Sequence, residues 1–185
     1  MKQNIVIQGP KQRASLVLFL AAATCIGLTP KQTFAADAGL CSKNPQNRQL
    51  DYWLGDWTIS GPGSSSSATS RVYLTLDDCM VVESWDGGRG HRGENMFAWS
   101  ADDKSWHGMF ADNEGRVHVF LAGKVAVGTA EFTGSSHGAD GDVILNRVKI
   151  VRLGPNEVEQ VWQKSSDNGA TWSTEFRGEY SRKTP

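Results

Sequence analysis

The chain has 185 residues and a formal charge of −1, with 19 Lys and Arg against 20 Asp and Glu. Residues 36–185, which follow a segment typical of an export signal, hold 15 basic and 20 acidic residues, a formal charge of −5. Nucleic acids and anionic membrane surfaces bind cationic protein faces, so this balance argues against both as partners. A mature chain of about 150 residues has the length of one domain with a sizeable core.

Residues 1–35 are predicted to be a secretory signal peptide. Basic residues precede an uninterrupted apolar run at 14–28, and small residues lead to a cleavage site near Ala35. The apolar run is shorter than the ~20 residues that a membrane span needs. Cys25 within the run leaves a lipoprotein signal as an alternative, although the usual Leu and small residues before the Cys are missing. We therefore expect a periplasmic or secreted protein, with residues 36–185 as its one domain.

Two cysteines, Cys41 and Cys79, remain after the predicted cleavage. In an oxidising compartment an even pair usually forms a disulfide, which here would join the N-terminal lead-in to a hairpin of the first half. Two unpaired thiols are the alternative. No CxxC or His/Cys spacing accompanies the pair, so the sequence predicts no metal site there.

A single helical turn is predicted just before the first strand. Leu50, Trp53, Leu54 and Trp57 are spaced as three, one and three residues, which places them on one side of a turn that would close one end of the fold. The Gly/Ser-rich stretch 61–70 then reads as a flexible loop, without a domain boundary.

From Trp57 onward, short runs rich in β-branched and aromatic residues alternate with turn signals about every 8 to 12 residues, a spacing typical of an all-β sandwich or barrel. The runs are 69–76, 80–85, 93–100, 104–111, 116–122, 125–133, 143–153, 157–164 and 171–182. Most alternate between an apolar and a polar face. After residue 60 no stretch has the apolar period of a helix.

Residues 165–172, SSDNGATW, match the Ser-x-Asp-x-Gly-x-Thr-Trp pattern of an Asp-box. In this hairpin device Asp167 accepts hydrogen bonds from turn amides, Gly169 supplies a positive φ, and Trp172 packs back over the hairpin. It is a structural feature without a nucleophile or acid. A sialidase-type propeller needs about 4–8 four-stranded blades and a visible repeat, so one copy in a chain with room for some ten strands excludes that fold.

From Cys41 onward, the chain resembles a family of exported bacterial proteins of the lipocalin-like (calycin) superfamily, a domain of unknown function. The features that carry the resemblance are, in order, Cys41, DYWLGDW at 51–57, a Gly/Ser loop, DCMVVESW at 78–85, Asn95-x-Phe97, Trp106, the Asp-box, and F-x-G-x-Y-x-R at 176–182. The resemblance implies a single up-and-down antiparallel β-barrel of about ten strands, open at one end, and no established activity.

Gly55-Asp56-Trp57 is similar to the G-x-W element of the lipocalin first strand. The likeness implies that Trp57 seals the closed end and that an Arg from a late strand stacks over its ring. We expect this residue to be Arg182. The alternative is that the Arg182 side chain is solvated. Haem-binding barrels of nitrobindin type are neighbours in the superfamily and place an axial His in the last strands. Here no His follows His137, and Trp57 is not followed by their glycines, so no cofactor is expected.

The candidate site consists of polar residues that alternate with aromatic ones on a presumed inner face. Its residues are Glu83, Trp85, Asn95, Phe97, Trp106, Arg116, His118, Gln160 and Trp162. A barrel mouth lined in this way would be mostly apolar with a few convergent polar groups, as ligand pockets are. An internal hydrogen-bonded network around Glu83 and Asn95 that fixes register is the alternative. His91 and His137 fall in Gly-rich loops and are expected to be solvated, and no His spacing supports a metal centre.

Three functions follow from these features. The first is a barrel that binds a small, largely apolar or aromatic ligand in its open end. The second is an enzyme that uses the same cavity, with Glu83 and His118 as an acid/base pair. The third is a structural or protein-binding envelope component without a ligand. The oligomeric state does not follow from the sequence.

Overall fold

The computed structural model describes residues 40–62 and 68–184. The predicted signal peptide and residues 63–67 of the Gly/Ser loop lie outside the described residues. A short α1 (Leu40–Lys43) and two 3-10 turns (Pro45–Arg48 and Asp51–Trp53) precede the first strand. Within the described ranges, no helix is long and apolar enough to span a membrane.

The rest of the described chain is β-structure. The strands are β1 (Gly55–Ser60), β2 (Thr69–Thr75), β3 (Met80–Asp86), β4 (Arg92–Ser100), β5 (Ser105–Asp112), β6 (Val117–Ala126), β7 (Thr129–His137), β8 (Val143–Gly154), β9 (Glu157–Ser165) and β10 (Ser173–Arg182). Each pairs antiparallel with the next, and β1 pairs with β10 to close a ten-stranded barrel. The predicted all-β, up-and-down barrel with a short N-terminal helical turn is confirmed.

The N-terminal segment covers one end of the barrel, as the sequence predicted. Trp53 is fully buried there, and its carbonyl accepts a hydrogen bond from Nε1 of Trp57 at 2.9 Å. The Tyr52 hydroxyl donates to the Ile150 carbonyl at 3.0 Å, and Nε1 of Trp106 donates to the Gln49 side chain at 2.9 Å. These bonds join the segment to strands on several sides of the barrel, so this end is closed.

Arg182 lies over the ring of Trp57 at the closed end, with its Cζ 4.2 Å from the ring centroid. Its guanidinium also donates to the carbonyls of Leu54 and Tyr52. Gly55 is required beside it, because a Cβ at that position would lie 2.2 Å from the Arg182 Nη1. The predicted stacking is therefore present, with two backbone carbonyls as additional partners.

A disulfide joins Cys41 to Cys79, with the two Cα atoms 4.9 Å apart. It ties α1 to the β2–β3 turn, and Arg48 supports the same junction by donating to the Asp78 carbonyl at 2.7 Å. The predicted pairing is confirmed, and it indicates folding in an oxidising environment.

The Asp-box forms the β9–β10 turn at the opposite end. Asp167 accepts hydrogen bonds from the Ser165 hydroxyl and from both the amide and the hydroxyl of Thr171. Gly169 has a φ of +89°, and Nε1 of Trp172 donates to its carbonyl at 3.1 Å. The motif has the hairpin geometry expected from the sequence.

Candidate functional site

A cavity of about 560 Å³ opens at the end of the barrel opposite the N-terminal segment. Its walls come from the β3–β4 and β5–β6 connections and from the adjoining parts of the strands β3 to β6 and β8 to β10. It is lined by Trp85, Gly87, Gly88, Arg89, His91, Asn95, Phe110, Arg116, His118, Val148, Gln160, Trp162, Lys164, Glu175 and Phe176. Its volume is in the range of about 300–1,000 Å³ that is typical of small-molecule sites.

Aromatic rings form most of the cavity wall. Trp85 and Phe176 meet edge to face at 6.0 Å, and Phe110 meets Trp162 in the same way at 5.4 Å. The His118 ring lies 4.6 Å from Trp162, perpendicular to it. Edge-to-face contacts at these distances stabilise ring pairs and fix their orientation. The cavity therefore has rigid, flat walls.

Trp162 is held in place from behind by a buried amide. Its Nε1 donates to Oδ1 of Asn146 at 3.0 Å, while Nδ2 of Asn146 donates to the Ser136 hydroxyl at 2.9 Å. Asn146 is only 1% exposed, whereas its partners Ser136 and Trp162 are partly buried. The Trp162 ring is thus positioned by a dedicated partner as well as by packing.

A buried polar layer forms the floor of the cavity. Glu83 is fully buried; its Oε1 accepts from the Ser70 hydroxyl at 2.8 Å and from the Tyr180 hydroxyl at 2.9 Å. Its Oε2 accepts from Nδ2 of Asn95 at 2.8 Å. Asn95 and Gln160 line the cavity, whereas Glu83 lies behind them. The register pairs Val72 with Glu83 and Glu83 with Asn95 on adjacent strands, which brings these groups together.

Burial raises the pKa of Glu83 to about 7, although hydrogen bonds with Ser70, Tyr180, Asn95 and Gln160 lower it. The hydroxyl of Tyr180 also lies 2.5 Å from Oε1 of Gln160, and its single proton cannot serve both acceptors. A protonated Glu83 resolves this geometry, because it donates to the Tyr180 oxygen while Tyr180 donates to Gln160. The floor is therefore satisfied best when Glu83 is neutral.

Basic side chains predominate at the rim. Arg89, Arg116 and Lys164 line the cavity together with one acid, Glu175, which pairs with Lys164 at 2.9 Å. Arg89 has no hydrogen-bond or ion-pair partner among the described residues and is exposed. The rim thus differs in charge from the acidic domain that carries it.

Arg116 lies in the β5–β6 connection, and its guanidinium contacts three side chains. Its Nε contacts Asp112 at 2.7 Å, and its Nη2 contacts Glu114 at 2.8 Å and Nε2 of His91 at 2.9 Å. The ligand atoms of His91, Asp112 and Glu114 lie within 4.8 Å of one another, a spacing that a metal ion could also use. Here the Arg116 guanidinium balances one of the two carboxylate charges.

Two buried polar atoms at the cavity, Nε1 of Trp85 and Nδ1 of His118, lack a hydrogen-bond partner in the described part of the chain. Burial lowers the pKa of His118, and the positive charges of Lys164 and Arg116 lower it further. His118 is therefore neutral near pH 7. An unsatisfied buried polar atom costs about 1–3 kcal/mol, so each of these two atoms lowers the stability of the barrel as it stands.

Among the hydrogen bonds of the described residues, none joins Glu83 to His118. The oxygens of Glu83 are occupied by Ser70, Tyr180 and Asn95, whereas His118 contacts the rings of Phe110 and Trp162. Glu83 is also absent from the cavity wall. An acid/base pair made of these two residues has no direct geometric basis.

The other residues named from the sequence separate into two groups. Trp85, Asn95, Arg116, His118, Gln160 and Trp162 line the cavity. Phe97 and Trp106 lie in the core nearer the closed end, where Phe97 packs 4.4 Å from Phe132. The inner face of the barrel continues past the cavity to the closed end. The alternation of apolar and polar residues along a strand therefore does not distinguish residues that line the cavity from residues of the core.

Several site residues were missed. Ser70, Tyr180 and Asn146 hold the floor and the wall, but only the strand register brings them to their partners. His91 was expected to be solvated; it is half-buried, lies 5.0 Å from the ring of Trp85, and lines the cavity. Glu175 reaches the rim beside a register irregularity between Thr174 and Phe176. His137 is exposed, as expected, but it is the last residue of β7 and pairs with Val143, so its predicted place in a loop is wrong.

No family model matches the chain, and a search of curated proteins finds no match to it.

Proposed function

We propose that this protein is an exported barrel that binds a small, largely apolar or aromatic molecule in its open end. The proposal rests above all on the cavity of about 560 Å³ with four aromatic walls, Trp85, Phe110, Trp162 and Phe176. Asn95, His118 and Gln160 line the same cavity and supply polar side chains for a ligand's polar groups. The combination of apolar walls and a few polar groups is the usual chemistry of ligand sites.

The proposed setting is the periplasm or the surrounding medium. The sequence of residues 1–35 and the Cys41–Cys79 disulfide both favour export. The proposed kinship is with exported lipocalin-like barrels, on the motifs that run from Cys41 to Arg182. A barrel of this kind would carry or sense a sparingly soluble compound outside the cytoplasm.

Binding is tested with a neutral fluorescent dye, N-phenylnaphthylamine, added to the exported protein. We expect saturable binding of one dye per chain, with energy transfer from tryptophan. Val148→Phe, which fills the cavity from β8, should weaken dye binding about ten-fold or more by overpacking. Val151→Phe is the matched control, because Val151 lies on the outer face of the same strand, opposite Glu159.

Equal binding by the wild type, Val148→Phe and Val151→Phe would contradict the assignment of the cavity. Absence of saturable binding in all three would favour the structural or protein-binding alternative. Circular dichroism and the thermal midpoint of each variant establish that the barrel is folded before the affinities are compared.

A further inference from the structure

The cavity has an aromatic interior and a rim with basic side chains. These two regions would contact different parts of a ligand. The aromatic walls lie deep, between the polar floor of Asn95 and Gln160 and the rim. Arg89, Arg116 and Lys164 lie at the mouth. A molecule that filled the site would therefore contact rings along its body and cations at its outer end.

The charge balance of the rim is unlike that of the domain. Residues 36–185 carry 15 basic and 20 acidic side chains, whereas the cavity lining holds three basic side chains and one acidic one. Clefts whose lining has one predominant sign attract ligands of the opposite sign. Asp112 and Glu114 pair with Arg116, and Glu175 pairs with Lys164, so Arg89 is the basic group of the described lining that favours an anionic ligand group.

The three cations are not equally available. Arg116 is committed to Asp112 and Glu114, and its charge is balanced there. Lys164 is shared with Glu175, in an ion pair whose side chains are 29% and 46% exposed. Arg89 is the cation of the described lining that has no ion-pair partner. An anion at the mouth would thus be attracted by Arg89 and by Lys164, and repelled by Glu175.

The deep wall adds a second requirement. Trp85 meets Phe176 edge to face, and Phe110 meets Trp162 in the same way, so the wall presents both ring faces and ring edges to the body of a ligand. Aromatic rings pair favourably in offset-stacked and edge-to-face arrangements. A planar aromatic ring system can make both kinds of contact.

We infer that the ligand is a planar aromatic acid, whose ring system occupies the space between the aromatic walls and whose carboxylate lies at the rim beside Arg89 and Lys164. This inference rests on the proposed function and specifies its ligand class. The carboxylate stays at the wet mouth, where it remains partly hydrated, while the rings leave water. Such a division avoids the cost of burying an unpaired charge.

The test compares naphthoate with the corresponding naphthyl methanol, which has the same rings without the charge. Both are measured by calorimetry and by displacement of N-phenylnaphthylamine from the exported protein. We expect naphthoate to bind several-fold more tightly, and its advantage to shrink as salt is raised, because rim charges are exposed and screened. The affinity for the alcohol should not depend on salt.

Two rim variants move the result in opposite directions. Arg89→Gln should weaken naphthoate binding by about 2- to 5-fold, the range of one exposed ion pair. Glu175→Gln should strengthen naphthoate binding by a similar factor, about 2- to 5-fold, because it frees Lys164 and removes a repulsive charge. Both variants should change the affinity for naphthoate more than the affinity for the alcohol. Arg152→Gln, at the closed end, is the matched control and should leave both affinities unchanged.

The outcomes distinguish this inference from the proposed function. Equal or tighter binding of the alcohol, or a Glu175→Gln variant without a selective gain, would overturn the aromatic acid while leaving the binding barrel intact. Failure of the dye and both probes to bind would overturn both. A selective gain in Glu175→Gln is not expected from a merely structural role of the rim and supports the inference.

Discussion

The hydroxyl of Tyr180 lies 2.9 Å from Oε1 of Glu83, although the two residues are 97 positions apart in the chain. Both side chains are buried, and together they form the floor on which the cavity rests. Burial and the nearby Glu83 also raise the pKa of Tyr180, so the phenol keeps its proton. The pair separates the aromatic core of the closed end from the open cavity.

Glu83→Gln should flatten the pH dependence of stability between about pH 4.5 and 7. The folded barrel raises the pKa of Glu83 from 4.5 to about 7, so it holds this proton more tightly than the unfolded chain does. The resulting stabilisation is fully present below pH 4.5 and is lost as pH rises to 7, a change of about 3 kcal/mol. Urea unfolding of wild type and variant at several pH values measures it. Parallel profiles would mean that Glu83 titrates normally.

Arg182→Lys should lower the free energy of unfolding by about 2 kcal/mol. The substitution keeps the charge but loses the planar contact with Trp57 and one or both of the bonds to Leu54 and Tyr52. The matched control is Arg177→Lys, whose side chain is exposed and pairs with Glu159. Denaturant unfolding of both variants gives the comparison, and an equal loss in the two would show that the stacked position is not special.

Replacing both Cys41 and Cys79 with Ala should lower the free energy of unfolding by about 3–4 kcal/mol. The disulfide spans 38 positions and restricts the unfolded chain over that loop. Reductant should destabilise the wild type to a similar extent and leave the double variant unaffected. Two alkylatable thiols in the native wild type would contradict the pairing itself.

Asp167→Ala should lower the thermal midpoint by a few degrees without weakening dye binding. Hydrogen bonds lower the pKa of Asp167 to about 2. The bond from the Thr171 hydroxyl has the largest effect, and those from the Thr171 amide and from Ser165 add to it. Because the folded pKa is depressed, this stabilisation is present above pH 4 and disappears as pH falls through 2. Asp140→Ala, in the exposed β7–β8 loop, is the control. A loss of dye binding in Asp167→Ala with the barrel still folded would give the Asp-box a direct role in the site.

The sequence predicts best those features that depend on local spacing. The Asp-box hairpin, the strand alternation and the helical turn before Trp57 are all encoded within short windows. The hydrogen bond between Asn95 and Glu83 agrees with the internal network that the sequence offers as an alternative, but Ser70 and Tyr180 reach Glu83 from two further strands. Their meeting depends on strand register, which alternation does not define. Likewise nothing local to Asn146 indicates that it holds Trp162.

The positions of the rim side chains depend on the conformation of the β3–β4 connection. Arg89 and His91 belong to a Gly-rich connection whose path includes positive φ angles at Gly88, Arg89 and Gly90. Such a turn can direct its side chains to solvent or back over the barrel mouth, and only the packing of His91 on Trp85 decides between them. The sequence therefore predicts the walls Trp85 and Trp162 and the rim residue Arg116, whereas the rim positions of Arg89, Lys164 and Glu175 depend on the fold.

Native mass spectrometry of the protein purified from its own compartment tests the central claim most directly. We expect a complex that exceeds the chain mass by one small molecule, and denaturation should release a compound with an aromatic or otherwise apolar body. The chain itself should have the mass of the disulfide-bonded form. A bare chain that also takes up neither N-phenylnaphthylamine nor naphthoate in excess would contradict the binding function.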